Sequence, residues 1–171
     1  FIGKVGTDDL GTFYRNDLNA INIDNKLLRS HTETGRAFTL ISPDSERTFA
    51  TYLGAAIELT TSDIDISFLK KFDILHIEGY LVQNIELIEF ALKQAKDNGL
   101  KVSIDLASFN VVEAHREFLN KIIPQYVDIV FANEEESKSY TGKDPEEALK
   151  IMASQTQIAI VKIGRKGSLI M

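Results

Sequence analysis

Asn133-Glu134-Glu135-Glu136 sets an amide and three consecutive carboxylates directly after the apolar run Ile129-Val130-Phe131-Ala132. Two chemistries use such a pattern. An Asn at a helix N-cap with Glu three residues on forms a capping box that satisfies free backbone N–H groups. Carboxylates beside a phosphorylated ligand can instead engage Mg2+ through oxygen, often by way of water. The two uses are compatible, with Asn133 capping the helix and Glu136 facing a ligand. A second candidate is Lys162-Ile163-Gly164-Arg165-Lys166-Gly167-Ser168, in which two glycines three residues apart bracket basic side chains. It reads either as a tight turn between adjacent strands with its basic groups in solvent, or as a loop whose glycines let the backbone approach a nucleotide. Neither a Walker A loop nor a GxGxxG fingerprint is present, which leaves a P-loop NTPase unsupported. Gly3-Lys4-Val5-Gly6-Thr7-Asp8-Asp9-Leu10-Gly11 reads as a strand exit with an Asp N-cap. His31, His76 and His115 share no i, i+4 spacing, so a histidine metal site is not expected.

The elements that must position these residues alternate along the chain. Asp8 to Asn19 has helical spacing, with Leu10, Phe13, Leu18 and Ile21 on roughly one face. Between Arg36 and Leu53 the pattern changes to short β runs, Ala37 to Ile41 and Arg47 to Tyr52, around Pro43-Asp44-Ser45; the turn chemistry predicts a hairpin. From Phe72 onward the prediction is strand 74–77, helix 85–97, strand 101–105, helix 112–123 and strand 129–132. Helices beginning near Glu134 and Pro145 follow, then strand 158–163. Strands separated by helical patterns of about a dozen residues imply βαβ crossovers and a parallel sheet. The expected fold class is therefore α/β, a mostly parallel sheet flanked by helices with a small β appendage. Ligands of such sheets bind beyond the carboxyl ends of the strands. That singles out Glu78-Gly79, Asp105 to Asn110, Asn133 to Glu136 and Gly164 to Gly167.

Composition narrows the function classes. The 171 residues, 44% hydrophobic and 26% charged, suffice for one ordinary globular core, and one domain is the expectation. A net charge of −6 with no basic run argues against a nucleic-acid partner. Cysteine is absent, which removes disulfides and thiolate metal sites, and no apolar stretch approaches the roughly 20 residues of a membrane span. A reducing cytoplasmic setting without membrane contact is expected. Phe1-Ile2-Gly3 and Ser168-Leu169-Ile170-Met171 both read as parts of strands, so both ends are expected to continue in a longer chain.

Four segments together carry a resemblance. Residues 1–11 resemble the G-x-V-G-x-D-x-x-G segment of the ribokinase-like (PfkB-type) sugar and nucleoside kinases. Thr34-Gly35, followed by Pro43-Asp44-Ser45-Glu46-Arg47-Thr48, resembles that family's T-G strand and E-R-T hairpin turn. Asp128 to Glu136 resembles the segment ending in N-x-x-E, and Val161 to Gly167 the v-t-l-G-x-x-G nucleotide segment. Their order and spacing match over essentially the whole chain.

The resemblance implies a ribokinase-like fold and transfer of the γ-phosphoryl of ATP, with Mg2+, to a hydroxyl of a small-molecule sugar or nucleoside. It assigns Asn133 and Glu136 to the metal, its waters and the phosphates, and Lys162, Gly164 and Gly167 to the ATP; members usually carry Thr where Lys162 stands. The hairpin, about residues 35–53, matches a β lid over the acceptor that also forms a homodimer contact in several members. Gly35, Phe38, Glu78 and Phe109 are the acceptor-side candidates; Phe38 and Phe109 either flank a ring or simply pack in a core or lid. The 171 residues match the central part of one kinase domain. The family's D-T-x-G-A-G-D segment, with its catalytic Asp and anion hole, has no counterpart here, and neither does its N-terminal glycine and Asn segment. No catalytic residue is thus assigned within the chain, which by itself is expected to be inactive. The stretch around Ser42 to Ala56, with Asp105-Leu106-Ala107-Ser108-Phe109, resembles bacterial adenosine-kinase-like members, which favours a nucleoside acceptor. The alternative is a non-catalytic nucleotide-binding or dimerisation module on the same fold.

Overall fold

The computed structural model describes residues 1–44 and 47–171; Ser45 and Glu46, part of the expected hairpin turn, lie outside the described residues. These residues form two compact units, Phe1–Ile64 and Asp65–Met171.

In the first unit, β1 (Ile2–Gly6) pairs in parallel with β2 (Lys26–Ser30) through the intervening helix α1 (Asp9–Ala20). Val5, Leu18 and Leu27, one residue from each element, form its small core. The expected helix is present and Asp8 is its N-cap, accepting the Gly11 N–H at 2.9 Å. Its apolar face is not buried as the spacing predicts: Leu18 is buried, whereas Leu10, Phe13 and Ile21 are exposed. The strand β2 is not announced by its sequence pattern: its five residues alternate too weakly and are held by pairing to β1. Thr34 ties the following segment to the helix start, donating its N–H and hydroxyl to the Asp8 carboxylate at 2.8 and 2.5 Å. The predicted hairpin is β3 (Arg36–Ile41) and β4 (Arg47–Tyr52), antiparallel with Phe38 opposite Ala50 and Thr39 opposite Phe49. Phe38, Leu40, Ile41, Phe49 and Tyr52 are exposed.

The second unit holds the regular βαβ rhythm. Its elements are α2 (Ile66–Leu69), β5 (Ile74–Glu78), α3 (Ile85–Asp97), β6 (Lys101–Asp105), α4 (Phe109–Ala114), α5 (Arg116–Tyr126), β7 (Ile129–Asn133), α6 (Glu134–Thr141), α7 (Pro145–Ala153), β8 (Ile158–Lys162) and β9 (Ser168–Ile170). The sheet order is β5-β6-β7-β8-β9, parallel through β8, with β9 antiparallel at the edge. One face of it, including Ile77, Val102, Ile104, Val130, Ala132, Ala159 and Val161, is buried. Helices α3, α6 and α7 pack on these strands. Right-handed crossovers that keep stepping in one direction put their helices on the same face, which gives this layering.

The predicted helix 112–123 is instead two helices meeting at His115, where φ is −121° and ψ 21°. The junction is fixed from outside: the Arg116 guanidinium donates to the Ser139 carbonyl at 2.5 Å, and the Ser139 hydroxyl to the Phe109 carbonyl at 3.3 Å. At the amino ends of the strands, buried Asp128 accepts from Lys96 Nζ (2.5 Å), the Val102 N–H (2.7 Å) and Gln157 Nε2 (3.2 Å), joining α3, β6 and the start of β8. No helix among the described residues is long and apolar enough to cross a membrane.

Candidate functional site at the carboxyl ends of the strands

Register decides which side chains meet at the opposite edge. Asp105 of β6 pairs with Phe131 of β7, and Asn133, two residues on, pairs with Lys162 of β8. Since side chains alternate along a strand, Asp105, Phe131, Asn133 and Lys162 all project to the sheet face that α3, α6 and α7 leave free. A lysine stem is long enough to run diagonally over β7 from this position. The Lys162 ammonium sits 2.6 Å from Asp105 Oδ2.

The capping box predicted at Asn133 is complete. The Glu136 N–H donates to Asn133 Oδ1 at 2.8 Å, and the Asn133 N–H and Nδ2 donate to the two Glu136 oxygens, each at 2.7 Å. Glu136 is only 2% exposed. Burial pushes its carboxyl above the ordinary glutamate value; the Asn133 N–H and the Lys162 charge oppose that shift, and the Asp105 and Glu135 charges add to it. Three Glu residues in the first turn also suit the positive end of the helix dipole.

The loop after β6 is shaped around Asp105. Its Oδ1 accepts the Ala107 N–H at 3.0 Å, and the Tyr80 hydroxyl donates to the Ala107 carbonyl at 3.2 Å. Ala107 is thereby held at φ 66°, uncommon for a residue with a Cβ. Gly79 is forced by the same loop, because a Cβ there would lie 2.4 Å from the Asp105 carbonyl oxygen.

Of the candidates read from sequence, Asn133, Glu136 and Lys162 are brought together. Glu78 ends β5 directly opposite Asp105, with its carboxylate 3.5 Å from His76 Nε2. Gly164 and Gly167 lie in the turn joining β8 to β9, as the turn reading held, and both have positive φ, 57° and 95°. Phe109 opens α4 and is exposed. Gly35 and Phe38 belong to the first unit: a Cβ on Gly35 would lie 2.6 Å from the Leu53 carbonyl oxygen, and Phe38 is exposed on the hairpin, so it is not a core residue there. Asp105 was legible as a strand-end carboxylate, but its pairing to Lys162 was not, because the two are 57 positions apart.

As a metal centre the site is lean. Among the described residues no group of three or more His, Cys, Asp or Glu side chains could hold an ion. Both Glu136 oxygens already serve Asn133. Mg2+ keeps several waters and takes its remaining ligands from substrate phosphates, so a lean donor set is compatible with it, and Asp105 and Glu136 are the side chains that would offer charge and acceptors to those waters.

Comparison with known proteins places this arrangement in a context. The sequence profile described as pfkB family carbohydrate kinase matches residues 1–171. A probable fructokinase-5 of Arabidopsis thaliana is 29% identical over 186 residues, covering 98% of this chain and 56% of that protein. A bifunctional ribokinase/ribose-5-phosphate isomerase A of Fructilactobacillus sanfranciscensis is 24% identical, covering 98% of this chain and 32% of its own. Among solved structures, the adenosine kinase of Sinorhizobium meliloti superposes with a TM-score of 0.90 at 31% identity, over 99% of this chain and 54% of that one. An adenosine kinase of Anopheles gambiae, at 22% identity and TM-score 0.91 over 100% of this chain and 55% of that one, shows the shared fold. The chain thus spans about half the length of most of these relatives.

Proposed function

We propose, from the premise that this chain belongs to the pfkB family of carbohydrate kinases, that the whole protein moves the γ-phosphoryl group of ATP to a hydroxyl of a sugar or nucleoside. The observation that carries this reading is the convergence of Asn133, Glu136, Asp105 and Lys162 at the carboxyl ends of three adjacent parallel strands. Phosphoryl transfer is mostly positioning and charge neutralisation. Mg2+, when bound, supplies that neutralisation along the polyphosphate. Asn133 and Glu136 hold each other rigid at the start of α6, so that the carboxylate meets the incoming phosphates and their hydrated counter-ion in one fixed orientation. The turn Gly164–Lys166 brings backbone and basic side chains along the ATP.

An adenosine-like acceptor is preferred in this proposal, supported by the 31% identity and close superposition to an adenosine kinase. Phe109, Glu78, Gly35 and Phe38 are assigned to the acceptor side, and the hairpin β3–β4 to a lid that also serves as a homodimer contact. The base that takes the acceptor proton is placed in a part of the protein outside residues 1–171. Residues 1–171 are taken as the central part of one cytoplasmic kinase domain, inactive by themselves.

The test is ADP formation by the whole protein with Mg-ATP against a panel of nucleosides and sugars. Adenosine is expected to give the highest kcat/KM. Turnover with sugars alone would replace the nucleoside assignment, and no turnover with any acceptor would leave a nucleotide-binding module.

A further inference from the structure

Resting on that kinase reading, we propose that the Asp105–Lys162 pair is a charge lock that makes the binding of a nucleoside di- or triphosphate and the binding of a divalent cation depend on each other. The Lys162 ammonium is held at 2.6 Å by Asp105 Oδ2, while Asp105 Oδ1 is kept by the Ala107 N–H at 3.0 Å. Both side chains are partly open to solvent, 44% for Lys162 and 21% for Asp105, so the pair can exchange partners. Glu136, 2% exposed and holding Asn133 with both oxygens, is not the carboxylate that exchanges partners.

Consider each ligand alone. A polyphosphate that draws Lys162 to itself leaves the Asp105 carboxylate unneutralised beside the added negative charge. A divalent cation that recruits Asp105 displaces the Lys162 ammonium into the neighbourhood of a like charge. Bound together, the cation replaces Lys162 at Asp105 and the phosphate receives the freed ammonium. Each ligand removes the penalty met by the other, and such coupling is reciprocal. The expected size is that of a partly exposed ion pair, about fivefold in each single-ligand affinity. Lys162 and Asp105 act here as ligand-binding residues.

Calorimetry on the whole protein tests this with three titrations: ADP alone, Mn2+ alone, and ADP at saturating Mn2+. Asp105→Asn keeps an oxygen for the Ala107 N–H but releases Lys162, and is expected to bind ADP alone about fivefold more tightly than wild type. Lys162→Met frees Asp105 and is expected to bind Mn2+ alone about fivefold more tightly, whereas Lys162→Arg keeps the wild-type values. Single-ligand affinities within about twofold of wild type in both neutral variants overturn the lock and leave the kinase reading standing. A wild-type protein that binds no ADP, with or without Mn2+, overturns both.

Discussion

Glu136 grips Asn133 by both carboxylate oxygens, and Asn133 returns a bond to the Glu136 N–H through its side-chain oxygen. Replacing Glu136 by Gln keeps the shape but puts an NH2 where one of the two Asn133 donors now points. Disturbing such an outer partner of a phosphate and metal site is expected to lower kcat by about 10–100-fold. Steady-state kinetics of the whole protein measure this, and kcat within twofold of wild type would remove Glu136 from the site. Asn133→Ala is expected to lose about 1–2 kcal/mol in chemical denaturation, since it deletes the cap.

Asp128 should govern part of the acid sensitivity of the fold. Burial pushes its carboxyl up, but the Lys96 hydrogen bond, the Val102 N–H and the charges of Lys96 and Lys101 outweigh this and hold it below the ordinary aspartate value. Its folded value is thus below its unfolded one, so its stabilisation is complete above the ordinary aspartate range and is lost as pH falls towards the folded value. Asp128→Asn is expected to cost about 2 kcal/mol at neutral pH. It should also flatten the decline in stability below about pH 4. Urea denaturation at a series of pH values reads both; parallel curves for wild type and variant would show that another group sets the acid limb.

Gly79 should not tolerate a methyl group. The atoms that a Cβ would meet are main-chain atoms of Asp105 and Leu106, at 2.4 and 2.8 Å, and they cannot move without distorting the loop that Asp105 shapes. Gly79→Ala is expected to destabilise by about 1–3 kcal/mol. A variant with unchanged melting temperature would mean that the loop yields.

Gly167 fails for a different reason. Open space surrounds it, but its φ of 95° with ψ of −131° belongs to glycine. Gly167→Ala is expected to cost about 1–3 kcal/mol through backbone strain alone. Since β9 begins at the next residue, hydrogen exchange should accelerate in Ser168–Ile170 first. Uniform acceleration over the second unit would argue against a local effect.

The hairpin offers a test of the homodimer assignment. Phe38 and Tyr52 project from one side of β3–β4 and Phe49 from the other, all of them exposed. A charge at an interface core position disfavours association, so Phe38→Asp with Tyr52→Asp is expected to shift the whole protein from dimer to monomer in sedimentation velocity. An unchanged dimer would place the contact elsewhere, and a monomeric wild type would remove it.

Much of this molecule is written locally. The capping box at Asn133, the hairpin pattern on either side of Pro43, the glycine turn after Lys162 and the alternation of strands with helices from Phe72 onward depend on residues within one or two turns of each other. Caps, φ preferences and periodicity act at that range. That is why the α/β class, the strand-end edge and the Asn133–Glu136 pair were legible in the amino-acid order.

Other features arise only where distant segments meet. The five residues of β2 become a strand by pairing with β1, and the expected helix over 112–123 divides at His115 where Arg116 and Ser139 join neighbouring helices. Helical spacing grouped Leu10, Phe13 and Ile21 with Leu18, yet burial in the first unit depends on what packs there, and Leu18 is the one covered. The meeting of Lys162 with Asp105 is the clearest case. Nothing within either segment requires it; the parallel register of β6, β7 and β8 sets the two side chains on one sheet face within a lysine's reach. Sequence by itself determined the elements and the chemistry each could bring, and tertiary structure decided which charges would neutralise each other.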